Sequence, residues 1–146
     1  FSRSVTKEAM AKEGVKFIDK IENLYSACDI VSLHIPATEI TKKLINFDLM
    51  NRMPKGAVLI NTARKEVICE ESLKKIFASR KDFRYSSDVA PDCAAELEKE
   101  YADRYYSTAK KCGAQTEEAN VNAGVAAVRQ IVNFFEKGDK TFQVNK

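Results

Sequence analysis

An arginine shortly after a strongly apolar segment is the first residue suited to bind an anion. Residues 57–60 are apolar without interruption, and Asn61, Thr62 and Ala63 separate them from Arg64. An apolar run of this length predicts a strand buried on both faces of a parallel sheet. Ligands of such sheets bind beyond the carboxyl ends of the strands, where Arg64 would offer a planar charged fork to a small carboxylate. The alternative is an ordinary surface arginine.

Two more residues with useful chemistry lie at the ends of predicted strands. His34 is near the end of a second buried-type strand, predicted over residues 29–35, which Pro36 stops. It is the only histidine, so a metal site built from several histidines is excluded. A Ser–His or Cys–His pair stays open, although no nucleophile motif is nearby. Asp88 lies towards the end of a strand predicted over residues 83–89; the alternative is a turn or N-cap aspartate.

A lysine pair supplies candidate bases. Lys110 and Lys111 lie in a predicted loop over residues 109–115. A lysine begins with a pKa of about 10.4 and must have that pKa lowered, by burial or nearby positive charge, to accept a proton. A solvated pair of lysines on a loop is the alternative.

The elements that would hold these residues alternate between strand and helix. This rhythm, with short connections, predicts an α/β fold around a parallel sheet. Helices are predicted at residues 5–13, 22–27, 47–53, 70–80, 93–103 and from Thr116, and strands at 15–18, 29–35, from Ala57, at 83–89 and 105–108.

The last helix carries apolar residues on two faces instead of one. Thr116 is its predicted N-cap, followed by acidic Glu117 and Glu118 at the positive helix end. A surface helix needs only one apolar stripe, so two stripes suggest a helix between two bodies. A helix buried in a single core explains the pattern equally well.

Composition excludes several classes of function. The chain has 146 residues, enough for one domain with a core. Its net charge is only +3 and it has no basic stripe, which argues against nucleic-acid binding. No apolar run has the length of a membrane span. Four scattered cysteines without a C-x-x-C pair predict free thiols in a reducing compartment, with the cytoplasm as the default, and no metal site.

The start of the chain and its glycines suggest a part of something longer. There is no initiator methionine, and none of the five glycines forms a G-x-G turn of the kind that cradles phosphates. We therefore expect the later part of a longer or split polypeptide.

The segment from Pro54 to Arg64, which ends in Asn-Thr-Ala-Arg, resembles the signature of the D-2-hydroxyacid dehydrogenases. That resemblance implies Rossmann-like domains, NAD as cofactor and a 2-hydroxy acid as substrate. Residues 1–115 would be the C-terminal half of the NAD-binding domain, and residues 116–146 the return helix and tail of the substrate domain. It also implies a homodimer formed through the cofactor domain, while NAD and NADP are not distinguished.

The resemblance also assigns roles to residues. Arg64 would orient the substrate's carboxylate and ketone oxygen, and Asp88 would accept a hydrogen bond from the nicotinamide carboxamide. The segment around His34 would lie beneath the nicotinamide end of the cofactor. The implied cofactor residues are His34, Ile35, Pro36, Thr62, Ala63, Arg64, Asp88 and Gly113, and the implied catalytic residues are Arg64 with Lys111 or Lys110.

Two departures from the family pattern occur together. The glutamate usual five residues beyond Asp88 is Cys93, and the usual histidine is replaced by Lys111, counting back from Gly113, or by Lys110, counting forward from Thr108. A neighbouring glutamate would raise the pKa of a lysine, so its loss suits a lysine base.

The loop Lys-Lys-x-Gly-Ala-Gln-Thr and the closing Phe-x-Val-Asn are similar to short phosphoglycerate dehydrogenases. The resemblance therefore implies 3-phosphoglycerate as substrate and a place in serine biosynthesis. Two alternatives stay open: the same chemistry on another 2-hydroxy acid, and a non-enzymatic NAD(H)-sensing protein of the corepressor type.

Overall fold

The chain divides into two compact units, Phe1–Lys111 and Cys112–Lys146. The computed structural model describes residues 5–109 and 116–145. The elements of the first unit are α1 (Lys7–Lys12), α2 (Ile21–Ala27), β1 (Ile30–Leu33), α3 (Phe47–Arg52), β2 (Val58–Asn61), a 3-10 helix (Lys65–Val67), α4 (Glu70–Ser79), β3 (Arg84–Ser87), α5 (Ala94–Tyr101) and β4 (Tyr105–Ser107).

The four strands form one parallel sheet in the order β1-β2-β3-β4. Each consecutive pair of strands is connected by a segment that contains a helix, as parallel pairing requires. The predicted α/β fold is therefore confirmed.

The core lies between the sheet and the helices that connect its strands. No residue of the central strand β2 is exposed, as its apolar sequence predicts, and Leu59 is fully buried. In α4, the three apolar residues at helical spacing, Leu73, Ile76 and Phe77, are all buried in the same cluster.

The strand predicted over residues 15–18 does not form. Gly14 adopts a left-handed conformation with φ of +70° after α1, as is common for the residue that follows a helix. The amide of Val15 then donates to the carbonyl of Met10 at 2.9 Å. This hydrogen bond caps the end of α1, so the Val15 amide is not available for pairing with a strand. The Val15 side chain is 55% exposed.

The strand predicted over residues 29–35 is shorter and less buried than expected. β1 is at one edge of the described sheet and only alternate residues are covered: Val31 and Leu33 are buried, whereas Ile30 is 62% exposed. Its apolar run therefore has one buried face in this chain, and the prediction of a fully buried strand was wrong.

The described part of the second unit is dominated by α6 (Glu117–Lys137). The hydroxyl of Thr116 accepts a hydrogen bond from the Ala119 amide at 3.1 Å, which confirms the predicted N-cap. Gly138 ends the helix with φ of +65°. The role of this unit as a return helix and tail stays a prediction. Of the helices that the structure describes, none has both the length and the apolar character needed to span a membrane.

Candidate functional site

The carboxyl ends of the four strands are level. Leu33, Asn61, Ser87 and Ser107 pair in register across the sheet. The residues that follow them therefore come out at one edge, roughly one strand spacing of about 4.8 Å from neighbour to neighbour. These residues are His34, Thr62, Asp88 and Thr108.

The sheet ladder continues into this edge. The Asp88 amide donates to the Asn61 carbonyl at 3.0 Å, and the Thr108 amide donates to the Ser87 carbonyl at 3.1 Å. The structure therefore brings the predicted residues Thr62 and Asp88 to the same sheet edge, with His34 beside Thr62 on the other side.

A tight turn carries the chain from β2 to Arg64. The Asn61 side chain is fully buried and stabilises this turn from within: its Oδ1 accepts from the Ala63 amide at 3.0 Å and its Nδ2 donates to the Arg64 carbonyl at 3.0 Å. Thr62 at the tip is exposed and Ala63 is half-buried. The turn is thus held by the end of a core strand, while its tip faces solvent.

Arg64 is exposed beyond the strand end, where the sequence predicted it. One guanidinium nitrogen, Nη1, donates to the Ala63 carbonyl at 2.9 Å. The remaining N–H groups have no acceptor among the residues that the structure describes. The side chain is thereby steered by its own turn and keeps donors available for a carboxylate.

Asp88 is half-buried and is tied to the last strand. The hydroxyl of Thr108 lies 3.0 Å from the Asp88 carbonyl and 3.1 Å from its carboxylate Oδ1. This arrangement fixes the direction of the Asp88 carboxylate at the carboxyl edge of the sheet.

His34, Ile35 and Pro36 line a cleft of about 550 Å³. That volume and its largely apolar lining are within the range of small-molecule and cofactor sites. Ser32 Oγ and His34 Nε2 lie 2.9 Å apart and give this wall polar groups. The Ser–His pair that the sequence left open as an alternative to a cofactor contact is therefore within hydrogen-bond distance. Among the described residues, no acidic partner hydrogen-bonds to the imidazole, so the pair lacks the third group of a nucleophilic triad.

Cys93 lies where the family pattern has a glutamate, and it is held as a neutral thiol. Burial, followed by the negative charge of Glu70, raises the pKa of Cys93 to about 11. The Glu70 carboxylate itself accepts hydrogen bonds from the amides of Asp92, at 2.7 Å, and Cys93, at 3.1 Å. Asp92 forms an ion pair with Lys65. The nearby carboxylates are therefore engaged in structural contacts at this corner.

The structure neither places nor tests three of the predicted residues. Lys110, Lys111 and Gly113 lie outside the described residues, so their roles stay predictions. Within the described ranges, no group of three or more His, Cys, Asp or Glu side chains could hold a metal ion. Cys28, Cys69 and Cys93 are free thiols.

Sequence reasoning did not assign roles to two residues that organise the site, Asn61 and Thr108. Asn61 had a usable signal, because an amide that closes an apolar strand must find buried hydrogen-bond partners. Thr108 had none, since its contact with Asp88 depends on the pairing of β3 with β4.

Comparisons with known proteins agree with this geometry. The sequence profile of the family described as "D-isomer specific 2-hydroxyacid dehydrogenase, NAD binding domain" matches residues 1–107. The D-3-phosphoglycerate dehydrogenase of Haemophilus influenzae is 31% identical over 136 residues, 89% of this chain and 33% of that protein. The hydroxypyruvate reductase of Thermotoga maritima is 31% identical over 121 residues, 80% of this chain and 39% of that protein.

A solved structure extends the match over the whole chain. The crystal structure of NAD+-bound 3-phosphoglycerate dehydrogenase from Entamoeba histolytica superposes with a TM-score of 0.81 and 42% identity, covering 100% of this chain and 46% of that one. The chain therefore spans less than half the length of these relatives.

A parallel sheet with level carboxyl ends, an arginine turn beyond one of them and a cleft along the edge strand β1 is typical of a Rossmann-like nucleotide-binding domain of the dehydrogenase type. The chain belongs to the D-isomer specific 2-hydroxyacid dehydrogenase family, and the matched residues are those of its NAD-binding domain.

Proposed function

We propose that the complete protein transfers a hydride between NAD(H) and a 2-hydroxy or 2-oxo acid, with D-3-phosphoglycerate as its substrate. The observation that carries this proposal is the shared sheet edge, where His34, the Arg64 turn and Asp88 follow level strand ends. The names of the relatives from Haemophilus influenzae and Entamoeba histolytica support the choice of substrate.

The cleft fits part of a dinucleotide. Its volume of about 550 Å³ and its apolar lining suit a flat ring system, and the Ser32–His34 pair offers polar contacts at its wall. Bound there, the nicotinamide cofactor would supply a two-electron hydride acceptor or donor. His34, Ile35 and Pro36 would hold it by backbone and van der Waals contact, with Thr62, Ala63 and Gly113.

Arg64 would bind the substrate's carboxylate and ketone oxygen. Its planar guanidinium can form two parallel hydrogen bonds to a carboxylate. The same donors would stabilise the negative charge that develops on the substrate oxygen as the 2-oxo acid is reduced. The buried Asn61 amide keeps the main chain of this turn in place during the reaction.

A lysine of the 109–115 loop would move the proton. In oxidation the substrate's hydroxyl proton passes to the neutral amine of Lys111 or Lys110 as the hydride leaves C2, and in reduction the ammonium returns it. Cys93 contributes no negative charge that would hold this amine protonated, since its thiol stays neutral.

We include the oligomeric state of the complete protein in the same proposal. The family resemblance supports a homodimer formed through the cofactor domain, and sedimentation velocity of the complete protein would show it.

Steady-state turnover tests the proposal. The complete protein is assayed by NADH absorbance with D-3-phosphoglycerate, D-lactate and D-glycerate, each with NAD+ and NADP+. We expect the highest kcat/KM with D-3-phosphoglycerate and NAD+. A preference for another acid would correct the substrate alone. NADH binding without turnover of any 2-hydroxy acid would contradict the enzymatic role and favour the sensing protein.

A further inference from the structure

The buried amide of Asn61 uses both of its polar atoms. Its Oδ1 accepts from Ala63, while its Nδ2 donates to the Arg64 carbonyl at 3.0 Å and to the hydroxyl of Tyr85 at 3.2 Å. The orientation of the amide follows from chemistry, because a backbone N–H can only donate and a carbonyl can only accept. The Tyr85 hydroxyl is therefore the acceptor for the second Nδ2 proton.

Tyr85 comes from the neighbouring strand and is itself held firmly. It pairs with Leu59 in register, two residues before Asn61, so its ring lies on the face that Asn61 shares. The ring is 1% exposed and stacks on Tyr105, with centroids 6.1 Å apart and planes 16° apart. Burial raises the pKa of Tyr85 to about 12, which keeps the hydroxyl neutral at working pH.

We propose that Tyr85 is a positioning residue for the substrate-binding arginine. Its hydroxyl holds the Asn61 amide, and that amide holds the Ala63 N–H and the Arg64 carbonyl, the first and last main-chain groups of the Ala63–Arg64 dipeptide. The position of the guanidinium thus depends on a tyrosine of another strand that does not touch substrate. The inference rests on the proposed function, in which Arg64 binds the substrate carboxylate.

Removing the hydroxyl leaves a buried Nδ2 proton without its acceptor. Such a group shifts towards another partner, and Asn61 can shift only by moving the turn that it holds. Small displacements of a positioning group are costly in catalysis, with 1 Å worth on the order of 100-fold. We expect a smaller effect here, about 3- to 10-fold, the factor associated with one net intramolecular hydrogen bond.

The first experiment compares Tyr85→Phe with Tyr105→Phe in the complete protein. Both changes remove one hydroxyl from the same stacked pair of buried rings, but the Tyr105 hydroxyl has no hydrogen-bond partner in the described part of the chain. Tyr85→Phe should lower kcat/KM for the 2-hydroxy acid about 3- to 10-fold, mainly through KM. The Kd for NADH should change less than kcat/KM, because most of the proposed cofactor contacts lie outside this turn, and Tyr105→Phe should leave both constants unchanged.

Tyr85→Phe in an Arg64→Lys background distinguishes a positioning role for Tyr85 from a general weakening of the fold. If Tyr85 acts through Arg64, Tyr85→Phe adds little further loss once the guanidinium is gone. A merely structural role would lower kcat/KM by the same factor in both backgrounds, and that result would overturn the proposal. Equal effects of Tyr85→Phe and Tyr105→Phe would overturn it as well.

Hydrogen exchange of the Ala63 amide provides a readout that does not depend on turnover. Tyr85→Phe should accelerate this exchange, because the amide's acceptor Asn61 Oδ1 is less firmly held, whereas Tyr105→Phe should not. Unchanged exchange in Tyr85→Phe would show that the hydroxyl does not hold the turn. If the wild-type protein turns over no 2-hydroxy acid, the proposed function fails while the exchange result still decides whether Tyr85 controls the turn.

Discussion

The hydroxyl of Thr108 lies within hydrogen-bond distance of both the carbonyl and the carboxylate of Asp88, at 3.0 and 3.1 Å. Asp88 follows β3 and Thr108 follows β4, so the contact joins the ends of two neighbouring strands. A hydroxyl that donates to a carboxylate oxygen fixes the direction of the carboxylate. The contact would thus prepare Asp88 to accept a hydrogen bond from the carboxamide of the cofactor, the role that the family resemblance implies for it.

Thr108→Val should therefore weaken NADH binding by the complete protein. Valine keeps the shape of threonine and removes the hydroxyl, so the Asp88 carboxylate loses a fixed donor. We expect the Kd for NADH to rise about 3- to 10-fold by calorimetry. Thr108→Ser, which keeps the hydroxyl, is the matched control and should bind almost as tightly as the wild type. Equal weakening by both variants would show that packing, and not the hydrogen bond, matters.

Arg64→Lys should lower kcat/KM for the 2-hydroxy acid about 100-fold or more, with NADH affinity changed little. Lysine keeps the positive charge but cannot form the paired, planar contacts of a guanidinium, which supply several charge-assisted hydrogen bonds. Arg84→Lys is the control, because Arg84 is an exposed arginine at the start of β3, the opposite end of the sheet. Near-normal turnover by Arg64→Lys would reduce Arg64 to an ordinary surface residue.

Much of this fold could be predicted from local sequence. The apolar run before Asn61 identified the central strand, and helical spacing in α4 identified its buried face. The strand predicted at residues 15–18 failed because periodicity cannot show whether a partner strand exists; the Val15 amide instead completes the end of α1. Pairing partners are a property of the tertiary structure, which a short apolar segment does not encode by itself.

The site, like the fold, has a part that could be predicted from sequence and a part that could not. The strand-end positions of Asp88 and Arg64 follow from their place in the chain. The contacts that hold them do not, because Tyr85 meets Asn61 and Thr108 meets Asp88 across 24 and 20 residues of sequence. Such contacts depend on the register between strands, and a single sequence does not give that register.

Lys110 and Lys111, in the loop predicted over residues 109–115, should differ sharply when each is replaced by alanine. A positioned acid–base group is worth about two to four orders of magnitude in rate, whereas a solvated neighbour is worth little. We expect Lys111→Ala to lower kcat by that amount and Lys110→Ala to lower it little. Lys111 takes the position of the family's histidine when residues are counted back from Gly113, which is the firmer anchor for matching the family pattern. Full activity in both variants would rule out a lysine base, and equal losses would mean that the two lysines act together.

Cys93 should react slowly with alkylating reagents. The thiolate is the nucleophile, and the pKa of Cys93 is raised from 9.0 to about 11 by burial and by Glu70. At about pH 8, peptide-resolved mass spectrometry with iodoacetamide should show labelling up to about 100-fold slower in the folded than in the unfolded protein. Equal labelling rates would show that the thiol is not protected.

The same pKa shift predicts how stability changes with pH. Between pH 9.0 and about 11 the folded state keeps the Cys93 proton that the unfolded state has lost, so the contribution of Cys93 to stability is lost as the pH rises through this window. Cys93→Ala should therefore flatten the fall in unfolding temperature across this range. An unchanged slope in the variant would contradict the shift.

The central claim is hydride transfer from C2 of a 2-hydroxy acid, and deuterium at that carbon tests it most directly. The complete protein is given D-3-phosphoglycerate deuterated at C2 together with NAD+, and the reduced cofactor is analysed by mass spectrometry. The account predicts that each NADH formed carries one deuterium from the substrate. It also predicts that Arg64→Lys lowers the rate of this transfer without changing where the label goes. Reduced cofactor without deuterium would contradict the account, as would no reduced cofactor with D-3-phosphoglycerate or with D-lactate or D-glycerate deuterated at C2.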